Sequence, residues 1–571
     1  MRFRRFPAAL LAGLVGLAGL LALSPRAQAA PSVTAPPRLV VLVAIDGLPM
    51  RQVTQWQDRF GPDGFNRFLR QGRTYTEAHY RHAHTVTGAG HATMMTGAYP
   101  QRSGIIGNEW LQLDTLQSLY CTEDRAHRYL AGGPTAPDAG TSPQNLLAET
   151  VGDVLIETRP GARVFGVSGK DRGAILPVGH RGVAYMYRSD SGLFTSSTYY
   201  MPAHPAWVNA FNARRPADAY WGQVWKPLLP DAAYADLAPD GQPWMSSAGY
   251  GNRLPATMGA NQSERGPRYY TDLLTSPFGD ALTLDFARAL VRAEHLGQDG
   301  TSDLLTISLS AHDYISHAFG PESRLAHDHL LQVDRLLGAF FQDLDRWVGR
   351  GQWAVVLTAD HGFSESPEWR QRLGQNARRF PMAAALSAVN THLRERFGLA
   401  RAAVGSSTNG LVFDEAAIRS RGLSAQAVYD EAAAVLRGIE GVAEVNTRAD
   451  LASSAPPRAD QRFLAAQRLG WHPDRSPPVV VAFAEGWIAS GRATGATHGS
   501  PYRYDQHVPI LLWGPRWWGG PARLDDPVQV VDIAPTIAQL LGLRAPAQSQ
   551  GQVLPGPDRK LPPGGKTGQA R

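Results

Sequence analysis

RLVVLVAIDG, residues 38–47, decides the fold. Residues 38–45 are an apolar run of strand length with no polar alternation. That is the pattern of a strand buried on both faces, as in the middle of a parallel sheet. Asp46-Gly47 ends the run. An acid just past the C-terminal end of such a strand stands where open α/β sheets keep their chemistry. Alone, Asp before Gly is equally a turn signal.

Working outward, the same pattern recurs. Residues 162–167 lead into Ser168-Gly169-Lys170-Asp171-Arg172, residues 303–310 into Ala311-His312-Asp313-Tyr314-Ile315-Ser316-His317, and residues 353–358 into Ala359-Asp360-His361-Gly362. Strand signals also occur at 410–413, 478–484 and 510–513. Between them lie helical patterns at 146–157, 278–296, 424–439 and 529–543, with the strongest at 324–348, where Leu330, Leu331, Val333, Leu336, Leu337, Phe340, Phe341, Leu344 and Trp347 share a face. The alternation predicts an α/β fold: a doubly wound, mostly parallel central sheet with helices on both faces. Two stretches interrupt it. Residues 180–275, rich in Tyr, Trp and Pro, are expected to be an excursion over the active-site face, and residues 365–475 a small α+β cap. The catalytic domain is thus expected over 30–543, followed by a flexible Pro/Gly-rich tail at 544–571.

The chain has 571 residues, 43% hydrophobic and 19% charged, the composition of a globular protein with a sizeable core. Residues 1–29 read as a signal peptide: Arg2, Arg4 and Arg5, an apolar run from Phe6 to Leu23, and Ala27-Gln28-Ala29 as cleavage site. An uncleaved membrane anchor is the alternative for this run. With cleavage, export to the periplasm or medium is expected, with no stable membrane association. The leader holds four arginines and no acid, so the formal net charge of +6 drops to +2 without it. The basic balance therefore does not argue for nucleic-acid binding. Cys121 is the single cysteine, so no intramolecular disulfide can form.

The chemistry centres on residues 82–110, HAHTVTGAGHATMMTGAYPQRSGIIGNEW. Thr87 precedes Gly88-Ala89-Gly90 and a helical run, which suits either a helix cap or a nucleophile at a helix N-terminus. Twenty-one residues on, Asn108 stands in a second Gly-rich turn. Lys170 and Arg172, pointing to one side of an extended segment, would suit a phosphate dianion. Asp313 and His317, four apart, share one face of a helical turn. His82, His84 and His91 match no closed zinc site and are read as loop or supporting residues. The doubly wound fold gathers Asp46, Thr87, Asp313, His317, Asp360, His361 and His498 at one sheet edge, enough for two zinc sites.

VAIDG (43–47), TVTGAGHA (85–92), GIIGNEW (104–110), SGKDR (168–172), SAHDYISH (310–317), LTADHG (357–362), THGSPY (497–502) and VVDIAPTIAQLLG (530–542) together resemble the alkaline phosphatase superfamily. The likeness is to its single-domain phosphatases with a threonine nucleophile, relatives of the type I phosphodiesterase/nucleotide pyrophosphatases. The resemblance implies two Zn²⁺ per chain. Asp46, Asp360 and His361 would hold one beside Thr87; Asp313, His317 and His498 the other, with His507 the rival for the last place. It also implies that Asn108, Lys170 and Arg172 contact non-bridging phosphoryl oxygens, and that a phosphothreonine forms on Thr87. The SGKDR stretch resembles the monoesterase members, so the expected substrates are small-molecule phosphate monoesters, turned over by a monomer. The alternatives are a phosphodiesterase or nucleotide pyrophosphatase with the same metals, or an inactive periplasmic binding protein, which would need a ligand or the nucleophile lost. A sulfatase fits less well, because Cys121-Thr122-Glu123-Asp124-Arg125 lacks the proline of the C/S-x-P-x-R signal.

Overall fold

The computed structural model describes residues 35–131 and 140–556. The proposed leader and residues 557–571 of the tail lie outside them. Nine strands form the central sheet: β1 (Leu39–Ile45), β2 (Arg73–Tyr75), β3 (Val164–Ser168), β4 (Val183–Arg188), β5 (Leu193–Thr195), β6 (Asp303–Leu309), β7 (Trp353–Thr358), β8 (Ile510–Trp513) and β9 (Ala522–Leu524). Their order is β9-β2-β8-β7-β1-β6-β3-β4-β5. The five strands β7-β1-β6-β3-β4 are parallel, and β1, β6 and β7 are buried along their whole length. That is why they read as unbroken apolar runs rather than alternating ones.

Register carries the consequence for function. Ile45 of β1 pairs with Leu309 of β6, Ala44 with Thr358 of β7, and Ser168 of β3 with Ser308 of β6. Four adjacent strands therefore end almost flush, and the segment after each strand emerges along one edge.

Four helices matter most: α1 (Thr87–Thr96), α2 (Asp171–Val178), α3 (Ala311–Phe319) and α4 (Arg324–Leu344). The Ser323 hydroxyl caps α4 by accepting from the Ala326 N–H at 3.1 Å, and the expected apolar face is buried except for Leu336 and Trp347, which are partly exposed. The α-helical part of α4 ends earlier than its pattern suggests, because Asp345–Gly349 wind into a wider π-helical turn. Among the described residues no helix is long and apolar enough to cross a membrane.

Several boundaries differ from expectation. The helix expected at 146–157 starts at Val151, where a capping box between Thr150 and Asp153 begins it. β4 and β5 lie within the expected 180–275 excursion but pair onto the sheet edge, so the irregular part starts after Thr195. β8 joins the sheet antiparallel. The strand Val479–Phe483 belongs not to the central sheet but to a separate four-stranded one, ordered Ala403–Ser407, Gly410–Phe413, Val479–Phe483, Val442–Thr447. With helices Met382–Phe397 and Ala425–Arg437 this sheet encloses its own core around Val389, Leu393, Leu411, Phe413 and Leu436. The cap therefore runs beyond residue 475. Residues 545–556, expected to be flexible, are packed: the Gln550 N–H bonds the Gly97 carbonyl at 2.7 Å, Tyr75 donates to the Pro555 carbonyl at 2.7 Å, and Leu554 is buried. These particular contacts outweigh the Pro/Gly-rich composition.

Candidate active site

Asp360 and His361 follow β7, Asp46 follows β1, Asp313 and His317 lie on the helix after β6, and Lys170 follows β3. Flush strand ends bring them together. Gly47 permits the turn after Asp46: its φ is +74°, and its N–H donates to Asp360 Oδ1 at 2.9 Å. His498 arrives from a loop and is fixed by its Nδ1–H on the Thr85 carbonyl at 2.8 Å.

The other two imidazoles are anchored alike. His317 Nδ1 donates to the Ala496 carbonyl at 2.9 Å and His361 Nδ1 to the Gly362 carbonyl at 2.8 Å. A carbonyl only accepts, so each ring carries a proton on Nδ1, and in the neutral ring Nε2 is the bare nitrogen turned to the site. Those Nε2 atoms converge on carboxylate oxygens. His317 and His498 lie 3.3 and 3.5 Å from Asp313 Oδ1, and His361 lies 3.5 Å from both Asp46 Oδ1 and Asp360 Oδ2. Lone pairs facing carboxylates at such distances repel unless positive charge lies between them. Asp46 Oδ1, Asp313 Oδ1, Asp360 Oδ2 and His361 Nε2 are all buried and make no hydrogen bond. Buried polar atoms are rarely left so, and these four are ligand atoms of types that suit a divalent cation.

Among the described residues three sets of atoms are compact enough to share an ion: Asp46, Asp313 and His361; Asp313, His317 and His498; and, away from these, Glu77, His79 and His507. The second is the triad expected from the sequence. In the first, Asp313 stands where Asp360 was expected, and Asp360 lies beside it next to His361. Electrostatics agree with a cation site. Burial, then the charges of Asp313 and Asp360, push the Asp46 carboxyl well above the usual range. Burial, then the His361 ring stacked at 3.5 Å, holds His498 well below the ordinary imidazole value, so it stays neutral and able to ligate.

Thr87 is the first residue of α1 and is buried; Val86 occupies the cap position, and no side chain caps the helix. The residue is therefore not spent on capping. Both its flanks are tied to the ligand loops. Thr85 Oγ1 donates to the Ser500 carbonyl at 3.1 Å and its carbonyl holds His498. One turn after Thr87, His91 Nδ1 lies 2.9 Å from the Thr87 carbonyl and 3.2 Å from Asp360 Oδ2, with Nε2 2.8 Å from Ser308 Oγ. A side chain at Gly90 would put its Cβ 2.1 Å from the Asp360 carbonyl oxygen, so α1 lies directly on that ligand's backbone. Asn108 Oδ1 accepts from the Gly88 N–H at 2.7 Å, which leaves the Asn108 amide NH₂ as the donor beside Thr87.

Lys170 and Arg172 do not project side by side from an extended segment. β3 ends at Ser168, Lys170 is the extended residue before α2, and Arg172 is already helical. Asp171 in the first turn favours this start. Lys170 Nζ lies 2.7 Å from Asp46 Oδ2 and 2.5 Å from Asp313 Oδ2, and 4.7 Å from the Tyr314 ring centroid. Burial works against its charge, but Asp313 and Asp46 hold it protonated.

His507 is elsewhere. Its Nε2 donates to the Thr76 carbonyl at 2.7 Å, and its ring stacks on His79 near Glu77, which Arg503 already pairs at 2.8 Å. His82 is buried and His84 partly buried, and neither belongs to a ligand set. Asn409 is a further residue of the site that no motif marks. It lies at a hairpin tip of the cap and donates from Nδ2 to the Gly499 carbonyl at 2.9 Å, next to His498. Nothing local in the sequence connects it to that loop.

A family model described as type I phosphodiesterase / nucleotide pyrophosphatase matches residues 40–502. Alkaline phosphatase PhoV of Synechococcus elongatus is 32% identical over 530 residues, covering 92% of this chain and 93% of that one. Alkaline phosphatase PafA of Elizabethkingia meningoseptica is 30% identical over 564 residues, covering 95% and 98%. The crystal structure of wild-type PafA superposes with a TM-score of 0.85 at 31% identity, covering 91% of this chain and 98% of that one. A PafA mutant with one Thr→Ser, one Asn→Ala, one Lys→Ala and one Arg→Ala replacement superposes with a TM-score of 0.83.

Proposed function

The chain belongs to the type I phosphodiesterase/nucleotide pyrophosphatase family, and from that premise we propose that it is a zinc-dependent alkaline phosphatase hydrolysing small phosphate monoesters through a phosphothreonine on Thr87. The observation that carries the reading is the set of four buried ligand atoms without hydrogen bonds, set among three imidazoles tethered through Nδ1. Three carboxylates and three imidazoles suit two zinc ions. Asp46, Asp360 and His361 would hold one with Thr87, and Asp313, His317 and His498 the other. Bound there, the ions would supply Lewis-acid charge that lowers hydroxyl pKa values and neutralises phosphoryl oxygens.

The chain's own residues do the rest. The Thr87 hydroxyl loses its proton to solvent as Oγ attacks phosphorus in line, and the ester oxygen leaves with its electron pair and takes a proton from solvent. Water then attacks the phosphothreonine, restores the Thr87 hydroxyl and releases inorganic phosphate. The Asn108 amide, Lys170 and Arg172 pair the non-bridging oxygens, of which a monoester dianion presents three. Those residue types support the monoester reading: Thr, Asn, Lys and Arg at the same mutual spacing as Thr87, Asn108, Lys170 and Arg172 are the positions replaced in the solved PafA mutant. The pattern of residues 1–29 supports export to the periplasm or beyond.

The test is kcat/KM for p-nitrophenyl phosphate against bis-p-nitrophenyl phosphate. The monoester is expected to be preferred by orders of magnitude. A preference for the diester would make the enzyme a phosphodiesterase with the same metals.

A further inference from the structure

A guanidinium on the first turn of a helix has several staggered rotamers open to it. Arg172 is held to one arrangement by a neighbour far away in sequence. Its Nη1 donates to the Tyr120 hydroxyl at 2.9 Å, and that hydroxyl donates its only proton to Asp171 Oδ1 at 2.6 Å. Thr122 and Tyr129 both donate to the other oxygen, Asp171 Oδ2, at 3.3 Å, while the Arg172 N–H donates to Oδ1 at 2.7 Å. The carboxylate is thus fixed, the phenol is fixed on it, and the guanidinium is fixed on the phenol. Arg172 Nε is buried and makes no hydrogen bond. With Nη1 taken by Tyr120, Nε and Nη2 remain as the edge able to grip an anion in two places.

Tyr120 also reaches the other phosphoryl contact. It ends the strand Ser118–Tyr120, which pairs antiparallel with Glu109–Leu111, and Glu109 stands opposite Tyr120. Asn108 immediately precedes Glu109, and the Cys121 N–H donates to the Asn108 carbonyl at 2.9 Å. One two-stranded ribbon therefore carries Asn108 at the start of one strand and the seat of Arg172 at the end of the other. We infer that Tyr120 is a positioning residue that sets Arg172 at a fixed place relative to Asn108, and that this spacing produces the preference for a monoester dianion over a diester. The inference rests on the phosphatase reading above. A diester offers fewer charged oxygens and needs room for a second organic group, so it gains less from a guanidinium held rigidly there. Lys170 is seated separately, on Asp46, Asp313 and the Tyr314 ring, and does not depend on Tyr120.

Tyr120→Phe, Arg172→Ala and the double variant are compared on p-nitrophenyl phosphate and bis-p-nitrophenyl phosphate, with the inhibition constant of inorganic phosphate. Tyr120→Phe removes one oxygen that accepts from a charged donor. It is expected to lower monoester kcat/KM about tenfold and to weaken phosphate inhibition similarly. Diester kcat/KM should stay within about twofold, and adding Tyr120→Phe to Arg172→Ala should change little, since the phenol acts through the guanidinium. Loosened folding would depress both substrates together, so the monoester-to-diester ratio decides even if the variant is less stable. An unchanged ratio in Tyr120→Phe beside a lowered ratio in Arg172→Ala overturns the role of Tyr120 alone. An unchanged ratio in Arg172→Ala overturns it together with the assignment of Arg172 to the phosphoryl group.

Discussion

Asp313 stands where the two ligand sets meet. Its Oδ1 lies 3.3 Å from His317 and 3.5 Å from His498, and its Oδ2 takes Lys170. Losing its charge should therefore loosen more of the site than losing any peripheral ligand. Asp313→Asn is expected to purify with less zinc than the wild type, measured as metal per chain. Thr87→Ala should separate nucleophile from ligands: zinc content near wild type, monoester turnover down by at least about 10³-fold. Substantial turnover in Thr87→Ala would remove Thr87 from the chemistry, and wild-type zinc in Asp313→Asn would deny that the carboxylate is a shared ligand. The residue types were legible because each sits beside a strong local signal, a buried strand ending in Asp or a Gly-rich turn. Which atoms share an ion was not, because it depends on side chains from three strand ends and a loop meeting in space.

At the scale of elements, the turn joining Ala403–Ser407 to Gly410–Phe413 is placed between the loops that carry Asn108 and His498. Both its central residues are left-handed, Thr408 at φ +44° and Asn409 at φ +58°. For a β-branched residue that conformation is strained. Thr408 crowds Gly107, where an added Cβ would come within 2.8 Å of Thr408 Cγ2, and Asn409 bonds the loop of His498. Relieving the strain and keeping the contact should have different effects. Thr408→Asn is expected to raise stability by about 1 kcal/mol in denaturant unfolding. Asn409→Ala should lower kcat/KM about threefold to tenfold through a less firmly held His498 loop. Full activity in Asn409→Ala would make the hairpin tip mere packing. Two of the four strands of this cap, Gly410–Phe413 and Val479–Phe483, were visible as apolar runs, but Ala403–Ser407 and Val442–Thr447 were not, and a buried run such as Val479–Phe483 does not say which sheet it joins. The seat of Arg172 on Tyr120 was equally hidden, being made across a ribbon 52 residues away in the chain.

For the molecule as a whole, the parallel core was legible from β1, β6 and β7, because burial on both faces leaves an unambiguous run. The aromatic strand VAYMYR, second from the sheet edge, and the packed segment 545–556 were not, because their composition resembles loop and linker and their partners are distant. One buried acid outside the ligand sets, Glu322, makes global stability depend on pH. Burial pushes Glu322 up to about 7 from an ordinary 4.5, and its Oε1 has no hydrogen bond. Between those values the folded chain holds the proton that the unfolded chain has lost. This group's contribution to stability therefore falls as pH rises from about 4.5 to about 7 and is flat above. Glu322→Gln should raise the midpoint of unfolding at pH 9 relative to wild type, by about 2–3 kcal/mol in free energy, with little gain at pH 4. An equal gain at both pH values would place the effect outside that titration.

The central claim is that the flush strand ends serve one nucleophile. Its most direct test is peptide mass spectrometry of wild-type enzyme quenched in acid while it turns over p-nitrophenyl phosphate. A phosphoryl group on Thr87 is the predicted result. Phosphate on another residue, or on none while turnover proceeds, would contradict it.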